Sequence, residues 1–180
     1  MSRRPVIGYS CPVRYRLYQA ADFEPLYAIE EACFQPPLRF PRRYMRRLVT
    51  SPRAATWVAE DGRAMAGFAI VEWLKAPDAS VAYIETLEVV PGRRGQGIGG
   101  ELLRRMEDSA RAAGASIIWL HVDAENAAAI RLYEAHGYEP QGREENFYPE
   151  QRPALVYAKS LPHAQEKEDG PPGGGEEASA

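Results

Sequence analysis

The sequence predicts a mixed α/β (α+β) fold in which a central, mostly antiparallel sheet of about seven strands is flanked by about four helices. Three features predict it. Alternating apolar segments in the first half are joined by a hairpin signal, Asp61-Gly62. After Val90 the pattern becomes strand, glycine-rich loop, helix, strand, which is a βαβ unit. Two further strand-like segments then follow a last helix and complete the sheet.

In chain order, Tyr15 to Tyr18 reads as a short strand, and Asp22 to Phe34 as a helix with Leu26, Ile29 and Cys33 on one face. Pro36-Pro37 stops that helix. A second short helix starts near Pro41, a residue tolerated in a first turn, and carries Tyr44 and Leu48. Strands Ala55 to Ala59 and Met65 to Leu74 flank the Asp61-Gly62 turn; Val81 to Val90 follows the loop Ala76-Pro77-Asp78. Leu102, Leu103, Met106, Ala110 and Ala113 recur at helical spacing, Gly114 supplies a C-terminal cap, and Ile117 to Val122 is apolar apart from His121. A helix from Ala127 to His136 ends at Gly137, and strands near Tyr138 to Arg143 and Leu155 to Ser160 close the domain.

The 180 residues, 45% hydrophobic, are enough for one substantial core, predicted over residues 14 to 161. Residues 1 to 13 read as a loose arm. Residues 162 to 180 hold Glu166, Glu168, Asp169, Glu176 and Glu177 against Lys167 around a Gly/Pro-rich centre, and read as a disordered acidic tail. The net charge of -3 is concentrated in that tail, so the rest of the chain carries no general signal for nucleic acid or membrane. Arg39, Arg42, Arg43, Arg46 and Arg47 form a local basic cluster that reads first as a solvated helix face. Cys11 and Cys33 have neither disulfide-framework nor metal-site spacing, so no metal is expected. There is no signal core or long apolar run, and a cytoplasmic protein, monomer or homodimer, is expected.

The chemistry concentrates in Arg94-Gly95-Gln96-Gly97-Ile98-Gly99-Gly100. Glycines at a strand-to-helix turn let backbone N–H groups converge on an anion, the helix N-terminus adds its positive end, and Arg93 and Arg94 add cations suited to a pyrophosphate. Gly95-x-Gly97-x-x-Gly100 also matches a dinucleotide fingerprint, with Asp123 downstream. Against that reading, Pro91-Gly92-Arg93-Arg94 separates the strand from the first glycine, and too little chain follows Asp123 for a doubly wound sheet.

These residues resemble the coenzyme loop of the GNAT N-acetyltransferases. Leu87-Glu88-Val89-Val90-Pro91 and the stretch Asn126 to Tyr138 resemble that family's companion motifs, and the likeness runs over roughly residues 15 to 161. Within it, Trp119-Leu120-His121-Val122, the Asn126 to Tyr138 helix and Asn146-Phe147-Tyr148-Pro149 are similar to segments of the ribosomal-protein N-terminal alanine acetyltransferases. The resemblance implies a GNAT fold and acetyl-CoA as co-substrate, with a protein N-terminal amine as acceptor. It implies that Leu87 to Val89 splays from its neighbour, so that the Val89 N–H polarises the thioester and the Leu87 backbone holds the pantetheine. Arg94, Gly95, Gln96, Gly97, Ile98, Gly99, Gly100, Asn126 and Tyr133 would contact the coenzyme.

Acetyl transfer to an amine also needs an acid and a base. Tyr133 matches the family's helix tyrosine and is the candidate acid. His121 stands where the similar acetyltransferases carry a glutamate base, and Glu85 on the preceding strand is the alternative base. Glu85 and Tyr148 are the candidate acceptor-binding residues, and Asn126 also reads as a helix N-cap. A small amine such as a polyamine or aminoglycoside is the alternative acceptor, and a non-catalytic acyl-CoA-binding regulatory module the alternative role. The absence of a well-placed cysteine points to direct attack on the thioester.

Overall fold

A computed structural model describes residues 12–62, 64–75 and 80–162. The proposed arm before residue 12, the loop 76–79 and the proposed tail after residue 162 lie outside the described residues. The elements are β1 (Arg14–Leu17), α1 (Phe23–Cys33), α2 (Arg42–Val49), β2 (Ala54–Asp61), β3 (Ala64–Lys75), β4 (Ser80–Val89), α3 (Ile98–Ala112), β5 (Ile117–Asp123), α4 (Ala127–Ala135), β6 (Glu139–Tyr148) and β7 (Arg152–Ser160). They form a seven-stranded sheet in the order β1-β2-β3-β4-β5-β7-β6. Every pairing is antiparallel except β4 with β5.

Period-two alternation divides the side chains of β3 between two cores. Phe68 and Ile70 join Phe23, Leu26, Tyr27 and Ile29 of α1 and Met45 and Leu48 of α2. Ala69 and Val71 face the other way, against Ile98, Leu102, Leu103 and Met106 of α3. The helices thus cover both faces of the sheet. Gly114 follows α3 at φ +86°, the left-handed cap its position predicts. The last hairpin is longer than the expected strand Tyr138 to Arg143: β6 continues to Tyr148, so Tyr148 ends a strand instead of lying in a loop. Its exposed, polar sequence hides the strand because β6 pairs only with β7 and buries little.

One discontinuity in the sheet creates the site. β4 and β5 pair only at Val81 with Ile117, Ala82 with Ile118 and Tyr83 with Trp119, although β4 runs on to Val89 and β5 to Asp123. The two strands therefore part after Tyr83. On its other side β4 stays paired with β3, and there Ile70 faces Thr86 while Val71 faces Ile84, so Glu85 is the extra residue of a β-bulge. The bulge resets the alternation, which brings Ile84 and Leu87, at odd spacing, to the same core.

Candidate active site

Two cavities meet where β4 leaves β5. The first, about 390 Å³, is lined by Leu87, Val89, Arg94, Gly95, Gly97, Ile98, Gly99 and Gly100, with Asn126, Ala129 and Leu132 opposite. The second, about 320 Å³, contains Glu85, His121, Tyr133 and Tyr148 beneath an apolar wall from the segment 34–41 and from Phe147 and Pro149. Phe34, Leu87, Asn126 and Ala129 belong to both. The tertiary fold therefore brings together the predicted loop and the predicted acid and base residues. Gln96, exposed in the turn, does not line the first cavity, and Tyr133 lines only the second.

The first cavity is built for an anion. Gly97 caps α3 at φ +80° and no side chain caps the helix, so the N–H groups of its first turn stay available. Arg94 turns back along β4, donating from Nε to the Val89 carbonyl at 3.0 Å. Arg93 behaves differently from its neighbour: it pairs with Asp61 of the β2–β3 hairpin, so Arg94 is the less committed cation of the two. Backbone polarity in β4 follows from its ladder. Val90 donates to Ala66 at 3.0 Å, which makes the adjacent pairs Gly67–Val89 and Ala69–Leu87 the non-hydrogen-bonded ones. The backbone groups of Leu87 and Val89 therefore point away from β3, into the gap. These features fit a pyrophosphate at the loop and a thioester at the splay.

In the second cavity, Glu85 Oε2 accepts a hydrogen bond from the Tyr44 hydroxyl at 3.0 Å. Burial, and then the nearby Glu72 carboxylate, push its carboxyl above the usual range, and the Tyr44 bond offsets part of that rise. Glu85 is half-buried and not the solvent-facing residue that alternation alone suggests. Tyr133 is 7% exposed, and its hydroxyl makes no hydrogen bond among the described residues. Burial raises its phenol, which keeps it protonated at neutral pH.

His121 is more committed. Its Nδ1 lies 3.1 Å from the Tyr83 hydroxyl, and its ring stacks on Phe147 with centroids 3.9 Å apart. Nε2 is 3.2 Å from Glu144 but not aligned to hydrogen-bond to it. Tyr148 reaches the His121 carbonyl at 3.5 Å, and burial, with the Asp123 carboxylate adding, pushes its phenol up to about 12. Asn126 accepts the Ala129 N–H at 3.1 Å as the N-cap of α4, a role compatible with its place at the junction. Sequence reasoning missed the parts Tyr44 and Tyr83 play here, because each pairs with a residue about forty positions away.

Residues 23–138 match the family model described as the acetyltransferase (GNAT) family. The chain belongs to the GNAT acetyltransferases. It is 44% identical over 81 residues to the streptothricin acetyltransferase of Streptomyces lavendulae, covering 45% of this chain and 41% of that protein. It is 36% identical over 85 residues to the ribosomal protein bS18 alanine N-acetyltransferase of Escherichia coli K12, covering 47% of this chain and 55% of that one. The match thus spans about half the length of these curated relatives. The crystal structure of the ribosomal-protein-S18-alanine N-acetyltransferase from E. coli superposes with a TM-score of 0.74 at 26% identity, covering 87% of this chain and 98% of that chain. Solved structures of similar fold hold acetyl-CoA or CoA. Among the described residues there is no cluster of groups able to hold a metal and no helix long and apolar enough to cross a membrane.

Proposed function

We propose that this GNAT acetyltransferase moves acetyl from acetyl-CoA to the N-terminal α-amine of a protein by direct attack of the amine on the thioester. The observation that carries the reading is the meeting of the two cavities at the β4–β5 splay, which puts an anion cradle on one side of Leu87 and a carboxylate, a phenol and an imidazole on the other. The E. coli bS18 alanine N-acetyltransferase supports the choice of acceptor.

Acetyl-CoA supplies the activated acyl group. The N–H groups at the start of α3 and the Arg94 guanidinium would hold its pyrophosphate, with Gly95 and Gly97 giving the backbone room to approach. Backbone groups of Leu87 would align the pantetheine, and the Val89 N–H would donate to the thioester oxygen as negative charge develops there. Glu85 takes the proton of the attacking amine: its raised pKa suits a base, and it faces the cavity from the bulge. His121, held by Tyr83 and covered by Phe147, would instead shape the wall that carries Tyr148. As the C–S bond breaks, Tyr133 gives its phenolic proton to the thiolate.

The likeness to a streptothricin acetyltransferase supports a second reading, a small-molecule amine as acceptor. Thiol release from acetyl-CoA distinguishes the two. Alanine- and serine-terminated peptides should turn over far faster than spermidine or an aminoglycoside; the reverse order would overturn the protein acceptor.

A further inference from the structure

A buried carboxyl pair stands where the two cavities meet, Glu30 lining the second and Glu88 the first, and is not used by the chemistry above. Glu30 of α1 is 0% exposed and Glu88 of β4 is 3% exposed. Each has one oxygen satisfied. Glu30 Oε1 accepts the Phe40 N–H at 2.6 Å, and Glu88 Oε1 accepts the Thr86 hydroxyl at 2.9 Å. Oε2 of each is buried with no donor among the described residues. Helix α1, which carries Glu30 and Cys33, packs against β4, and both side chains neighbour the Glu88 carboxyl. Two buried carboxylates without a cation repel and lose their hydration, whereas a carboxylic acid can donate to a carboxylate and satisfy both stranded oxygens with one proton. Burial first, and then the neighbouring Glu30, push the Glu88 carboxyl well above the usual carboxylate range, which favours retention of that proton.

The other titratable groups around the pair are few. Cys33 of α1 has its thiol pushed up, by burial and then by Glu88, and Arg94 approaches from the loop after β4, its Nη2 3.6 Å from the Cys33 sulfur. Arg94 donates to the Val89 carbonyl and, among the described residues, forms no ion pair with either carboxyl.

What the pair joins gives it a role. Glu30 fixes the backbone of Phe40, whose carbonyl also accepts from the Tyr27 hydroxyl at 3.2 Å. Phe40 ends the segment that contributes Phe34, Pro37 and Leu38 to the acceptor cavity. Glu88 lies between Leu87 and Val89, the two residues whose backbone faces the splay. We propose that Glu30 and Glu88 are positioning residues that share one proton and, through it, hold the acceptor-side loop against the thioester strand. The loop function rests on the reading of this cavity as the acceptor site. The shared proton does not.

Infrared difference spectroscopy of the full chain at neutral pH tests the proton without any acceptor. The wild type should show the carbonyl stretch of a protonated carboxyl, shifted in D2O, and both Glu88→Gln and Glu30→Gln should lose it. No such band in a folded wild type, or a band that survives both substitutions, would overturn the pair. Kinetics on an alanine-terminated peptide then test the loop. Glu30→Ala should raise the peptide KM about tenfold or more with acetyl-CoA affinity unchanged, while Glu30→Gln, which keeps an acceptor for Phe40 and a donor for Glu88, should restore it. An unchanged KM in Glu30→Ala would overturn the loop function. A peptide that is not acetylated even by the wild type would instead count against the acceptor reading, with the infrared result still standing on its own.

Discussion

Gly67→Ala should disable the enzyme by moving one backbone N–H. Gly67 sits on β3 directly opposite Val89, and a Cβ there would lie 2.5 Å from the Glu88 carbonyl oxygen and 3.2 Å from the Val89 Cα. An ordinary carbon–oxygen contact is about 3.3 Å, so the strands must separate by roughly 0.8 Å. β3 is held on its other side by β2, whereas beyond Tyr83 β4 is unpaired on its β5 side, so β4 yields into the gap. The Val89 N–H moves with it. A displacement near 1 Å at a reacting group costs about 100-fold, or about 2.7 kcal/mol of barrier. The proposed pyrophosphate cradle is centred on the N-terminus of α3, outside the displaced strand, so acetyl-CoA affinity should change by less than about fivefold. Steady-state kinetics on an alanine-terminated peptide and calorimetric titration with acetyl-CoA measure the two quantities, with circular dichroism to establish folding. A folded Gly67→Ala enzyme whose kcat/KM stays within about twofold of wild type would refute the assignment of the Val89 N–H to the reacting centre.

Other substitutions separate the remaining roles. Tyr133→Phe should lower kcat by about 10²- to 10³-fold without changing acetyl-CoA affinity, because the lost hydroxyl makes no internal hydrogen bond; wild-type turnover would remove the acid assignment. If Glu85 is the base, kcat/KM rises with pH through a carboxyl pKa above the usual range. Tyr44→Phe, by deleting a bond that favours the charged carboxylate, should shift that limb to higher pH, and a profile that stays in place or moves down would count against Glu85. Glu85→Gln should lose most activity while His121→Gln keeps the pH limb; the opposite pattern would transfer the base to His121. Arg94→Ala should weaken acetyl-CoA binding about tenfold and flatten its dependence on salt, as titrations at two ionic strengths would show.

The arginines of α2 find acidic partners elsewhere in the fold. Arg42 and Arg46 pair with Glu24 and lie over the Phe23 ring, and Arg47 pairs with Glu72. The basic cluster read from the sequence is thus largely balanced by acids that the fold brings to it, and the solvated-face reading describes it better than a binding surface.

Much of the molecule follows from the order of residues alone, because the signals are local. The helices announce themselves through periodic apolar positions, the candidate coenzyme loop through its glycines, and the caps at Asn126 and Gly114 through one residue each. The parting of β4 from β5 is legible only by resemblance, since nothing in Tyr83 to Val89 states which residues find a partner across the sheet. The bulge at Glu85, its bond to Tyr44, the anchoring of His121 between Tyr83 and Phe147, and the contact of Glu30 with Glu88 were decided by tertiary structure. Each joins residues far apart in the chain, and their chemistry comes from burial and shared protons, which exist only once distant elements have packed and water has been excluded.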